Sequence, residues 1–236
     1  MAKNKKASRK ESEQGSTNLS MEAYKGIRRM LFLNEIGPGQ KLHYRDLAER
    51  LGMSPTPVIQ ALKWLEFQEL VRHEPNRGFY MEPISIEEVR ELFVLREALE
   101  IALLPELFKN LNDKGIKRLR SAHEAYLKAG REKYLKQRLL KDIEFHMTLA
   151  FLARGRITQR ILRYLFDVLY LKYKSELIFS RPMEDVDREH QEIFDRVAAR
   201  DLEGARKALS RHLLKIREHV IDGISRSIEE SETLDI

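Results

Sequence analysis

The 236-residue sequence has no cysteine. That excludes a disulfide framework, a thiolate metal site and a cysteine nucleophile, and it leaves histidine and carboxylate as the ligands a metal would have to use. No apolar run approaches the roughly 18 residues of a membrane span, and the Lys-rich start lacks the apolar stretch of a signal peptide. The expectation is therefore a cytoplasmic protein without membrane association. With 11 Gly and 7 Pro the chain is neither fibrous nor low in complexity, and it shows no internal repeat. Hydrophobic residues make up 42% and charged residues 34%, a globular balance that supplies a core for one large or two ordinary domains.

An excess of charge of one sign is nearly missing as well. The net charge is +6, and half of it sits in residues 1–16, where five basic side chains face two acidic ones. Such a balance is compatible with nucleic-acid binding but does not demonstrate it, because a phosphate-binding face depends on where charges lie. Residues 1–18 hold almost nothing apolar, so they read as a disordered basic arm. That arm is either a solvated tail or a phosphate contact.

From Met21 to about Glu35, Tyr24, Ile27, Met30, Leu31 and Ile36 recur at helical spacing before Gly37, Pro38 and Gly39 stop the helix. A second helix fits Tyr44–Arg50, closed by Gly52, and a third fits Thr56–Glu69, with Pro55 or Pro57 suited to a first turn. Short strands at Leu70–Arg72 and Gly78–Glu82 flank a turn at Glu74, Pro75, Asn76, Arg77 and Gly78. Three helices followed by a β-hairpin describe a winged helix-turn-helix over residues 19–84.

The remainder reads as an all-α bundle over 85–225 with a frayed tail at 226–236, so the fold class is mainly α. Ser85 and Glu88 form a capping-box pattern, and the helix after it carries Val89, Leu92, Phe93, Leu99 and Leu103 inward until Pro105 breaks it. Further helices fit 113–129, 131–153, 157–179, 183–199 and 202–223.

Four polar residues interrupt the apolar stripes of this bundle. Asp142 and His146, spaced i and i+4, share the face of Leu135, Leu139, Leu149 and Ala153. His190 lies with Val186, Ile193, Phe194 and Val197, and His212 with Ala205, Leu209, Ile216 and Val220. Positions 190 and 212 are equidistant from Asp201, a plausible N-cap in the turn between two antiparallel helices, so their side chains face one another. Each inward histidine alone reads as a hydrogen-bonded core residue. The four together read as a ligand set for a divalent ion, Zn²⁺ first, with Ni²⁺ or another first-row ion also suited. His43, His73, His123 and His219 show no such convergence and read as surface or incidental. Arg96 also falls on an inward stripe, where it either pairs with an internal carboxylate such as Glu100 or clamps an anionic ligand.

The series Gly37–Leu42, Leu47–Ser54, Thr56–Val58, Ala61, Leu62, Leu65 and Asn76–Gly78, followed by Arg96 with Glu100, Asp142 with His146, His190 with Ile193, and Asp201 before His212, resembles the GntR family of bacterial transcription regulators. The resemblance is to the FadR-like branch with an FCD effector domain, and it extends over about 21–223. It implies a homodimer that binds operator DNA, a divalent metal on Asp142, His146, His190 and His212, and a small organic acid effector beside that metal, with Arg96 as a clamp. It also implies DNA contacts from Arg45, Ser54, Thr56, Gln60, Lys63, Asn76, Arg77 and Gly78. The sequence departs from the branch at Pro55 and Ile59, where relatives usually carry arginine, so operator sequence does not transfer. Two other readings stay open from the residues alone: a metal sensor in which the ion is the signal, and a His3Asp metalloenzyme fused to a winged helix. Against the enzyme, no inward general base is recognisable beyond the ligands. The expectation is a regulator, not an enzyme.

Overall fold

The computed structural model describes residues 18–131, 135–173 and 183–234. The arm expected over the first residues lies outside the described part up to residue 17, while residues 18–32 are helical (α1). The described residues divide into two compact units, one ending at Ile84 and the other starting at Ser85.

In the first unit, α1 is followed by β1 (Lys41–Leu42), α2 (Tyr44–Leu51), α3 (Pro55–Phe67), β2 (Val71–Glu74) and β3 (Gly78–Met81). Gly52 closes α2 at φ 64°, a left-handed conformation that costs glycine little, and its N–H bonds back to the last carbonyls of the helix. Pro55 opens α3 in the first turn, where a missing N–H is harmless. The wing is a little shifted from expectation. Its strands are Val71–Glu74 and Gly78–Met81, turning through Asn76 at φ 61°. A third strand, unforeseen, adds to it: β1 pairs antiparallel with β3, giving the order β1-β3-β2. Two residues are too short a run for alternation to show, which is why the sequence concealed it. Ile27, Leu31, Val58, Leu62, Leu65, Leu70 and Met81 fill the core of this unit.

The second unit is all helical: α4 (Ile86–Ala102), α5 (Leu104–Asn110), α6 (Asp113–Arg131), α7 (Leu135–Leu152), α8 (Arg156–Lys172), α9 (Met183–Ala198) and α10 (Leu202–Leu234). The α4–α5 break falls next to Pro105, as expected. α6 packs on α7, α9 packs on both α6 and α10, and α4 lies against α8 and α10. Ser85 caps α4 by accepting from the Glu88 N–H. The reciprocal half of the capping box is absent, because the Glu88 carboxylate is taken by Lys172 and Tyr173. Leu99 is only half-buried rather than core. The frayed tail is also corrected. α10 runs to Leu234. The stretch expected to be helical beyond Tyr173 lies outside the described residues.

Candidate functional site

Each of the four interrupting residues is buried, and they meet. One ligand atom from each of Asp142, His146, His190 and His212 lies within 4.8 Å of all the others, the one such group among the described residues. α7 carries the first two one turn apart. α9 and α10, antiparallel across the turn that Asp201 caps by accepting from the Gly204 N–H, bring the rings of His190 and His212 to 4.5 Å between centroids.

The outward nitrogens of the three rings are all engaged. His146 Nδ1 donates to Glu100 Oε2 at 2.5 Å, His190 Nδ1 to the Val186 carbonyl at 2.9 Å, and His212 Nδ1 to Glu189 Oε2 at 3.0 Å. The Val186 carbonyl can only accept, and Glu189 is already an acceptor from Lys215 Nζ at 3.0 Å. The tautomers follow: hydrogen on Nδ1, lone pair on Nε2. All three Nε2 atoms are buried without a hydrogen-bond partner. His190 Nε2 sits 3.1 Å, and His146 Nε2 3.9 Å, from Asp142 Oδ1, without the alignment of a hydrogen bond. Imidazole lone pairs against a carboxylate oxygen repel unless a cation lies among them, and each orphaned acceptor costs roughly 1–3 kcal/mol. The residues therefore fit a divalent ion, with His146 and His212 oriented through outer carboxylates as metal-binding histidines usually are.

Titration agrees. Burial drives His212 down to about 3, helped by the neighbouring His190, and Glu189 offsets only part of this. Burial likewise lowers His146 against the pull of Glu100. Both rings are neutral at pH 7, as ligands must be. Burial pushes Asp142 up, but the close His190 and the neighbouring His146, whenever they take up a proton, and the charge of Arg96 hold it well below the carboxylate range. Its other oxygen accepts from Tyr170 Oη at 2.9 Å. Glu100, raised by burial, is held down at about 2 by His146 and Arg96.

Arg96 takes the internal pairing that the sequence left open. Its Nε donates to Glu100 Oε1 at 2.7 Å, so Glu100 links it to His146. Nη1 and Nη2 are nevertheless buried without a partner, and the guanidinium carbon lies 4.5 Å from the Phe166 ring centroid.

In the first unit Ser54, Thr56, Gln60 and Lys63 are exposed along α3, the last three at positions i, i+4 and i+7 of one face. Arg45, Arg77 and Gly78 line a cleft of about 300 Å³ together with Lys41, His43 and Tyr44, and Asn76 is exposed at the wing tip. Pro55 is exposed and Ile59 half-buried.

Several participants were missed. Glu189 carries no periodic signal, since it precedes His190 on the polar side of α9 and reaches a residue 23 positions on. Tyr170 looks like any apolar-face residue, and Lys41 sits on the unforeseen strand. Of the surface or incidental reading of His123 the second half holds: it is buried and stacks on Phe194 with centroids 5.5 Å apart, outside the metal group.

Comparison with known proteins gives two matches along the chain. Residues 19–81 match "Bacterial regulatory proteins, gntR family" and residues 91–215 match "FCD domain". The HTH-type transcriptional repressor RspR of Escherichia coli (strain K12) is 27% identical over 203 residues, 86% of this chain and 89% of RspR. An HTH-type transcriptional regulator in the TAR-I ttuE-ttuC' intergenic region of Agrobacterium vitis is 31% identical over 134 residues, 56% of this chain and 78% of that protein. Among solved structures, E. coli McbR/YncC superposes with a TM-score of 0.75 at 20% identity, covering 86% of this chain and 97% of that one. A GntR regulator from Rhodococcus sp. RHA1 gives 0.72 at 22% identity, covering 87% and 99%. These two likenesses concern the fold.

Proposed function

Because the chain belongs to the gntR family of bacterial regulatory proteins and carries an FCD domain, and is thus a DNA-binding transcription regulator rather than an enzyme, we propose that its DNA affinity is set by a small carboxylate bound beside a divalent metal in the second unit. The observation that carries this is the convergence of three partnerless imidazole nitrogens on Asp142, next to an arginine with two bare nitrogens.

Asp142, His146, His190 and His212 would hold the ion, Zn²⁺ before Ni²⁺ or another first-row metal by donor set. The bound ion would supply positive charge for a ligand oxygen. Charge balance favours a monoanion. Arg96 and Lys215 offset Glu100 and Glu189, which leaves Asp142 unbalanced; a divalent ion overshoots by one, and one carboxylate restores neutrality. Arg96, held by Glu100, offers its two free nitrogens to that carboxylate. Effector binding then shifts the population between states of different operator affinity, and DNA reciprocally shifts effector affinity.

DNA contact falls to α3 in the major groove, with Thr56, Gln60 and Lys63 along its exposed face and Ser54 at its start. Arg45, Asn76, Arg77 and Gly78 would contact phosphates at the wing and the cleft beside it. A homodimer would present two such units to a two-fold operator in the cytoplasm.

The test is to select a duplex from genomic fragments and measure its anisotropy-derived affinity for metal-free and metal-loaded protein, with and without a panel of carboxylic acids, at fixed ionic strength. An acid that changes affinity at least fivefold only in metal-loaded protein supports the reading. A change produced by metal alone, with every acid silent, replaces it with a metal sensor.

A further inference from the structure

In the second unit several arginines have acids beside them. Arg96, Arg138, Arg188, Arg196, Arg206 and Arg211 each have a carboxylate within ion-pair distance. One cleft gathers cations without any acid. A cleft of about 500 Å³ between the first turn of α6 and the α7–α8 junction is lined by Lys114, Arg118, Arg154 and Arg156 and by no acid. None of the four has a carboxylate partner among the described residues. The sequence carries the same asymmetry: no Asp or Glu occurs between Glu144 and Asp167, a stretch that contains Arg154, Arg156, Arg160 and Arg163.

Four cations around one cavity repel one another, a cost that a bound anion would remove. The rest of the lining suits a ligand. Asn112 and Gln159 add neutral amides. Arg118 is stacked on Phe151, with its guanidinium carbon 3.8 Å from the ring centroid, which leaves the edge of its planar fork for bidentate contact. The volume falls in the range of small-molecule sites and is far too small for a duplex. We propose that this cleft binds a small polyanion bearing two or more phosphate or carboxylate groups, at a site separate from the metal centre. The site rests on residues that the metal and effector reading does not use, so each can fail without the other.

The experiment is calorimetric titration of the full-length, metal-loaded protein at fixed ionic strength with fructose 1,6-bisphosphate and, separately, with propane-1,2,3-tricarboxylate. One saturable site per chain is expected for at least one of the two, and the tighter of them names the head group. Affinity should fall at least tenfold in Arg118→Gln/Arg156→Gln and stay within twofold in Arg96→Gln. It should also stay within twofold in Lys128→Gln/Lys207→Gln, which removes the same charge at exposed positions elsewhere. Absence of saturation with both anions overturns the proposal. So does equal weakening in the two double variants, dependence on Arg96, or a cleft that binds duplex DNA or RNA while ignoring both anions.

Discussion

Glu189 shows how much of the proposed metal centre lies outside its four ligands. By accepting from His212 Nδ1 it selects the tautomer whose lone pair faces Asp142, and Glu100 does the same for His146. Glu189→Gln keeps the shape but weakens that acceptor, so metal affinity should drop about 10- to 100-fold, read by competition with a chromophoric chelator; unchanged affinity would mean the ring is oriented by packing alone. The neutral rings also fix a pH dependence. His212 is lowered from 6.5 to about 3 in the fold, so between those values the unfolded chain binds a proton that the folded chain refuses. Stability from this group is full above pH 6.5 and is lost as pH falls, by about 1.4 kcal/mol per pH unit. His146 contributes with the same sign, and so, below the carboxylate range, do Asp142 and Glu100. The melting temperature of metal-free protein should therefore decline from pH 7 to pH 5; a flat or rising profile would contradict the buried neutral imidazoles.

At the scale of elements, we assign base reading to α3 and phosphate contact to the wing and the cleft beside it. Gln60 stands on the exposed face of α3, and Gln60→Ala should relax discrimination at one base pair by about 1–3 kcal/mol. Arg45 lines the basic cleft beside the wing, and Arg45→Gln should weaken binding evenly across sequences and lower the salt slope by about 1. Competition binding against single-base operator variants, repeated at several salt concentrations, separates the two; a Gln60→Ala loss equal for all sequences would remove Gln60 from base readout. The helices and wing that carry these residues were legible from order and spacing, because glycine and proline punctuate the first unit so tightly, while the contacts themselves rest on the family resemblance. In the bundle, a 3.6-residue period was enough to place Asp142, His146, His190 and His212 on inward faces, and the symmetry about Asp201 brought two of them together. Periodicity says which face a residue occupies but not which neighbouring helix that face meets. Glu189, Tyr170 and His123 therefore stayed hidden, and β1 was too short to show at all. The length of α10 was misjudged for another reason: its Ser- and Glu-rich end looks like tail composition and carries no apolar stripe to mark it as helix.

For the whole molecule, helices α4, α7, α8, α9 and α10 each contribute a side chain to the proposed metal centre, so an ion there would tie together segments far apart in sequence. Metal that binds only the folded chain stabilises it by about 2.7 kcal/mol at 100 times the dissociation constant. Loading should therefore raise the melting temperature by several degrees in wild type and not in a ligand variant. Arg96→Gln should behave differently, keeping its metal while losing the response to carboxylic acids, and this would separate the ion's structural contribution from its role in sensing. The measurement that tests the centre most directly is the elemental metal content of protein purified without chelators, for wild type and for His190→Ala/His212→Ala. One first-row divalent ion per chain in wild type, absent from the double variant, is the expected result. Wild-type protein that carries no stoichiometric metal and takes none up on titration with Zn²⁺ or Ni²⁺ would contradict it.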